Sequence, residues 1–423
     1  MRHFWTVGAI VTIHLFLTSI HAFADDDDVT PVDSVYSDKI KSVLFYTLPD
    51  TSIGLPINTF DQNSPMVLEF DELNGSQQFF YYKIYHYNAD WTQSYLSATQ
   101  YLSDFNEYRA PDGDMSFKTR IGYYHYKITM PRVKVSGNFL IKVYRNYDED
   151  DVILTRQFII YENLAQITAT ITRSAVPADA FKKQQINFQI NYGAVTISNV
   201  YTDVKVRLRQ NFKDYNSINN LQPVFVNDGV LDYQYYNNEN AFNGGNEFRY
   251  FDLRSVLFSG IYVGRVTRNN TQCDAWILPE SSRKNLAYSF YDDINGAYFP
   301  QLYETLNETT EPDYVMVHFQ LMSSQPAPGD VYLTGRFTNW KTLPEYKLTY
   351  DADEKYYSGA FLMKQGYYNY AYSVVNGGKR DDVYFEGNSS LTENAYDIIV
   401  YARVQGFMYD RAIGYMTKSN GNK

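Results

Sequence analysis

The chain has 423 residues, more than one hydrophobic core usually serves, and 17% of them are aromatic, with 42 tyrosines, a composition that predicts two to three β-rich domains. A formal net charge of −11 argues against a nucleic-acid partner, which needs clustered Lys and Arg, and against adsorption to anionic lipid. The single cysteine, Cys273, excludes an intramolecular disulfide framework and lies too far along the chain to carry a lipoprotein anchor.

Residues 1–24 read as a secretory signal peptide. Arg2 and His3 form a short basic start, 4–20 is mostly apolar, and Ala22-Phe23-Ala24 supplies the small-x-small cleavage signal through Ala22 and Ala24. No later segment is apolar enough to span a membrane, so direct membrane insertion is not expected.

The stretch 79–91 is aromatic on both faces of the strand it must form. Phe80, Tyr82, Ile84 and His86 point one way, and Phe79, Tyr81, Lys83, Tyr85 and Tyr87 the other. One set can fill a sandwich core. The other must be covered by a neighbouring strand, a second domain or a partner, which makes Tyr81, Tyr85, Tyr87 and Trp91 candidate interface residues.

A first β-sandwich is expected over 33–162, ending on the alternating run 152–161, with Asp148, Glu149, Asp150 and Asp151 at an exposed hairpin tip. Those carboxylates lack the Asp/Asn and Gly spacing of a calcium loop, so no metal site is expected there. A second sandwich is expected over 164–300. Its alternating run 204–210 places Lys205, Arg207 and Arg209 on one face, read as a solvated outer stripe. A third is expected over 313–410, and the tail 411–423 is expected to fray. Gly137, Gly260 and Gly366 each open an aromatic, β-branched strand and lie 123 and 106 residues apart, about one sandwich each. The fold class is therefore all-β, with three tandem immunoglobulin-like β-sandwich domains after the signal peptide.

No catalytic constellation is expected. Beyond the signal only His86, His125 and His318 remain, each in a separate strand without metal-ligand spacing, and there is no nucleophile elbow, zinc-protease helix or phosphate-cradling loop. The reading is a non-enzymatic protein without cofactors.

Several separate segments together carry a resemblance. They are Tyr-Ser-Asp-Lys-Ile-Lys-Ser-Val at 36–43, Leu-Glu-Phe-Asp-Glu-Leu at 68–73, the aromatic run at 80–91, Gly-Asn-Phe-Leu at 137–140 and Leu-Thr-Arg-Gln-Phe at 154–158, joined by Phe-Glu-Gly-Asn at 385–388 and Thr-Glu-Asn at 392–394. In order and spacing they resemble the plug proteins of the type IX secretion system of Bacteroidota. Tyr87 departs from that pattern, which usually has cysteine there. The resemblance implies a periplasmic protein that closes the inner mouth of a large outer-membrane β-barrel translocon while it is idle. Its partners would be that barrel and associated secretion subunits.

Separately, Gly335-Arg336-Phe337-Thr338-Asn339-Trp340 with the later Gly366-Tyr367-Tyr368-Asn369-Tyr370 is similar to early-set immunoglobulin-like modules related to glycogen-binding domains. That similarity carries the alternative reading, a periplasmic or surface glycan-binding protein in which Trp340 stacks on a sugar ring. No second tryptophan follows Trp340 to complete a platform.

Overall fold

A computed structural model describes residues 30–50, 54–73, 75–193, 195–305 and 309–421. The signal segment with Ala22 and Ala24 lies outside the described residues. Pro31–Lys423 forms one unit, built almost wholly from strands.

The first sandwich follows from period-2 alternation. One sheet runs in the order Ser34–Val35, Asp148–Tyr161, Gly137–Arg145, Phe80–Tyr87, Tyr108–Arg109, and the other in the order Ile40–Thr47, Met66–Glu72, Tyr124–Thr129, Asp114–Met115. Phe80–Tyr87 pairs antiparallel with Gly137–Arg145, placing Ile84 opposite Ile141 and Tyr87 opposite Asn138. Between the sheets Phe70 stacks on Tyr126 at 5.2 Å and Phe139 on Phe158 at 5.1 Å. Each such ring, fully buried, contributes about 1.5–3 kcal/mol. The hairpin turn falls at Asn146 and Tyr147, whose φ angles of 50° and 62° suit a two-residue hairpin turn of matching twist. The acidic run expected at the tip instead begins the long strand Asp148–Tyr161.

The second sandwich is not closed by residues 164–300. One sheet is Gln166–Arg173, Lys183–Asn191, Val230–Tyr233 and Phe225–Asn227, with Ala241–Asn243 pairing on Lys183–Asn191. The facing sheet joins Ile218–Asn219 and Val204–Gln210 to Ala395–Ala402 and Arg411–Ser419 from the C-terminal end. Ile186, Phe188, Val206, Leu208, Ile398, Val400 and Ile413 share its core. The tail expected to fray is thus a paired strand with Ala412 and Ile413 buried. Its apolar signal, Ala-Ile-Gly-Tyr-Met, is short, and its partner lies a loop away in sequence, so the order comes from pairing and not from local pattern.

The third sandwich likewise begins earlier than residue 313. A single path of strands runs Arg249–Asp252, Gly366–Asn376, Asp330–Thr334, Lys347–Asp351, Tyr356–Lys364, Tyr314–Met322, Cys273–Ile277, Val263–Arg268, and folds over a core in which Phe251 meets Phe319 at 5.6 Å. Cys273 is buried in this core, which also takes in Leu44, Tyr46 and Val67 of the first sandwich. The expected linear partition into 164–300, 313–410 and a tail is corrected accordingly: 249–300 packs with the third sandwich and 395–419 with the second.

Substituting Ile413→Ala is expected to cost about 2–4 kcal/mol in urea unfolding, as for other buried aliphatic truncations; a frayed tail would give no change.

Candidate interaction sites

The chain itself covers the second face of the aromatic strand. Tyr81, Tyr85 and Tyr87 are 8%, 4% and 1% exposed. Tyr81 lies under Tyr147, with ring centroids 3.6 Å apart, and Tyr87 beside Trp91 at 5.9 Å. Next to Tyr87, the Asn138 side chain donates to Asn88 O at 2.9 Å and accepts from Tyr401 Oη of the second sandwich at 2.6 Å. The strand therefore serves cohesion between sandwiches, and these three tyrosines have no open face to offer a partner. Trp91 alone of the four remains half-exposed, at a left-handed φ of 63°. His86 is buried, bonded to Ser94 Oγ at 2.7 Å and Ser136 O at 3.2 Å, and desolvation pushes its pKa down to about 4.

A buried polar network ties the first sandwich to the third. Asp71 accepts from His125 Nδ1 at 2.8 Å, from Tyr314 Oη at 2.7 Å and from Lys364 Nζ at 2.6 Å. Burial pushes the Asp71 carboxyl up, but the Lys364 ammonium and His125 outweigh it and hold the group below the usual range. Lys364 also donates to Thr309 O at 2.8 Å, and nearby Arg120 pairs with Asp313 at 3.0 Å.

The stripe of Lys205, Arg207 and Arg209 is not a solvated face. Arg209 forks onto Asp397 and reaches Asp214, Arg207 pairs with Asp214 at 2.8 Å, and Lys205 with Asp410 at 3.0 Å. Asp410 also accepts from Ala89 N of the first sandwich at 3.2 Å. Arg207 and Arg209 of a stripe that reads as amphipathic are buried because Asp214 folds back on them and Asp397 arrives from far off in sequence, while half-buried Lys205 meets Asp410.

Where the three sandwiches meet, a cleft of about 1500 Å³ opens, walled by Trp91 and Gln157 from the first, Arg207 and residues 210–215 from the second, and Trp340 and Arg380 from the third. Trp340 is only 4% exposed. Its ring lies 5.4 Å from Phe248 and under Lys213 Nζ at 4.6 Å. Gly296, at φ +76°, allows this approach, since a Cβ there would come 2.0 Å from the indole. The flat open stacking surface expected of Trp340 is thus absent, because its own chain packs against the ring.

A second surface was not singled out by sequence reasoning. Phe258 lies 6.2 Å from Tyr303; Arg254 sits over Tyr303 at 4.2 Å and over Phe299 and Tyr367 at 5.7 Å; Tyr250 joins Tyr367 at 5.7 Å and Tyr262 at 4.9 Å. Leu257, Phe258, Ile261, Tyr262 and Tyr303 are exposed. A contiguous array of tyrosines and phenylalanines around an arginine, left open to water, has the composition of a protein-binding hot spot. Its members come from three separate segments, 250–262, 299–303 and Tyr367, so only the residue types were visible in advance. Among the described residues no group of three His, Cys, Asp or Glu side chains is arranged to hold a metal.

Residues 40–162 match the family model described as "Type 9 secretion system plug protein 1st domain". Over those residues the chain carries the first domain of the type 9 secretion system plug family. It is also similar, at 31% identity and a TM-score of 0.88, to the crystal structure of a hypothetical protein from Parabacteroides merdae, with 93% of this chain and 100% of that chain covered. A search of curated proteins finds no match. The family is a component of secretion machinery and not an enzyme family, which ties this chain to type 9 secretion and to the cell envelope. No helix among the described residues is long and apolar enough to cross a membrane.

Asp71→Asn is expected to lower stability by about 3–5 kcal/mol, because Lys364 is left buried without its counter-charge. Asp71→Leu combined with Lys364→Met should recover most of the loss, a non-additivity that urea denaturation of the single and double variants measures.

Proposed function

We propose that the chain is a periplasmic plug, held at the outer membrane through its partner, that closes the inner mouth of a large β-barrel translocon when no substrate is in transit. The observation that carries this reading is the plug-domain match over residues 40–162. A wide channel leaks solutes unless a folded body occludes it, and that body has to leave when cargo arrives. The buried ties at Asp71, Arg209 and Asp410 support such a role: a body already locked internally pays little ordering entropy on docking.

The contact surface in this reading is the exposed array of Phe258, Tyr262 and Tyr303 around Arg254, in place of Tyr81, Tyr85 and Tyr87, which their own chain covers. Glycan binding at Trp340 has no observation in its favour, since the ring is buried. No step of bond chemistry is needed: closure and release are a binding equilibrium set by differential affinity for the idle and loaded channel.

Pull-down of the tagged chain from outer-membrane extracts is expected to recover a very large β-barrel, with recovery falling at least about tenfold for Phe258→Asp combined with Tyr262→Asp. Failure of the unsubstituted chain to recover any such barrel would sink the plug reading. Recovery that is untouched by the double substitution would reject only this surface.

A further inference from the structure

The cleft between the three sandwiches holds a lysine with no counter-ion. Lys213 is 8% exposed, and its Nζ lies 4.6 Å from the Trp340 ring and 5.1 Å from the Phe248 ring. Among the described residues no carboxylate lies within ion-pairing distance of it. The acids that act on it from neighbouring elements are engaged elsewhere. Asp382 accepts from Arg380 Nε and Ser373 Oγ, each at 2.6 Å, and from Tyr215 Oη. Asp293 accepts from the backbone N–H groups of Phe248 at 2.5 Å and Asn295 at 2.7 Å.

Other donors around the cleft share this condition. Trp340 Nε1, Trp91 Nε1 and Arg207 Nε are buried without an acceptor among the described residues. With Lys213 Nζ these donors number four against two buried acceptors in the same lining that are unpartnered among the described residues, Asn216 Oδ1 and Glu247 Oε2; the surplus calls for a ligand that brings acceptors, since unsatisfied buried groups of this kind are costly to maintain. At about 1500 Å³ the cleft also exceeds the roughly 300–1,000 Å³ of ordinary small-molecule pockets, which favours a segment of chain over a free ion. Gln157, Asn216, Asn243 and Asn246 line the same walls and are suited to meeting peptide amides.

We propose that this cleft binds an acidic peptide segment, with a carboxylate of that segment paired to Lys213 over the Trp340 and Phe248 rings. Charge complementarity selects the occupant: the protein carries a net charge of −11, yet this cavity presents an unpaired ammonium beside further donors. The site is distinct from the exposed aromatic array and stands whether or not the chain closes a translocon.

Trp91 and Trp340 both line the cleft, and among residues 25–423 they share the chain only with Trp276, so intrinsic fluorescence of the purified protein reports occupancy. Titration with a hexaglutamate peptide is expected to give a saturable change, while hexalysine, free glutamate and inorganic phosphate bind at least about tenfold more weakly. Lys213→Met, verified as folded by circular dichroism, should lose about thirtyfold or more in hexaglutamate affinity, as for other buried charge pairs cut on one side. Burial lowers the free Lys213 pKa to about 8, with Asp382 and Asp293 opposing and Arg380 reinforcing the shift. Asp293 itself, raised by burial to about 7, titrates below the window used. Hexaglutamate affinity of the unsubstituted protein is therefore expected to fall steadily from pH 8 to 10.5, where the peptide stays ionised.

The lowered pKa means that the folded state disfavours the charged lysine. That penalty is full below about pH 8 and vanishes above the ordinary value of 10.5, so Lys213→Met should also raise the melting temperature near pH 7 and lose the gain above pH 10.5. No response to hexaglutamate, equal binding by folded Lys213→Met, equal binding of phosphate, or an affinity independent of pH between 8 and 10.5 would each overturn the proposal.

Discussion

A buried carboxylate needs a buried cation, and Asp71 finds its own in Lys364, 293 residues further along the chain. The positions of the sandwiches depend on matches of this kind. Asp71 fastens the first sandwich to the third, while Asn138 with Tyr401 and Ala89 N–H with Asp410 fasten it to the second. Such pairs add little net stability over apolar packing, yet breaking one is expensive. Their effect here is to select one mutual arrangement of three otherwise generic sandwiches.

That arrangement produces the two surfaces proposed to bind partners. Fixing the sandwiches around a common meeting point leaves a cleft, and the walls of the cleft carry Lys213 and Trp340 from different sandwiches. The exposed aromatic array is built the same way, with Phe258, Tyr303 and Tyr367 supplied by separate segments. Such a body, rigid inside and carrying a small exposed aromatic patch, suits the proposed role of a plug that docks and leaves.

The sequence disclosed the elements better than their company. Alternation placed strands within 79–91, from Gly137, at 152–161 and at 204–210, and the order of the first-domain segments carried the family likeness. It misjudged Lys205, Arg207 and Arg209, because a charged stripe looks the same whether it faces water or acids such as Asp214, Asp397 and Asp410. It left Trp340 open between sugar stacking and a structural role for a similar reason: the motif around an aromatic ring does not disclose that Gly296 and Phe248 press against it.

By itself, then, the sequence determined the all-β class, the acidic charge, the lack of a disulfide framework and a central strand with two buried faces, since each follows from composition or from a period of two residues. Tertiary structure alone decided that 395–419 returns to close the second sandwich, that Tyr81, Tyr85 and Tyr87 are covered from within, and that Lys213 stands unpaired in a cleft. The physical reason is range. Alternation is a property of neighbours along the chain, whereas burial, charge pairing and cavities are set by surfaces that meet across hundreds of residues.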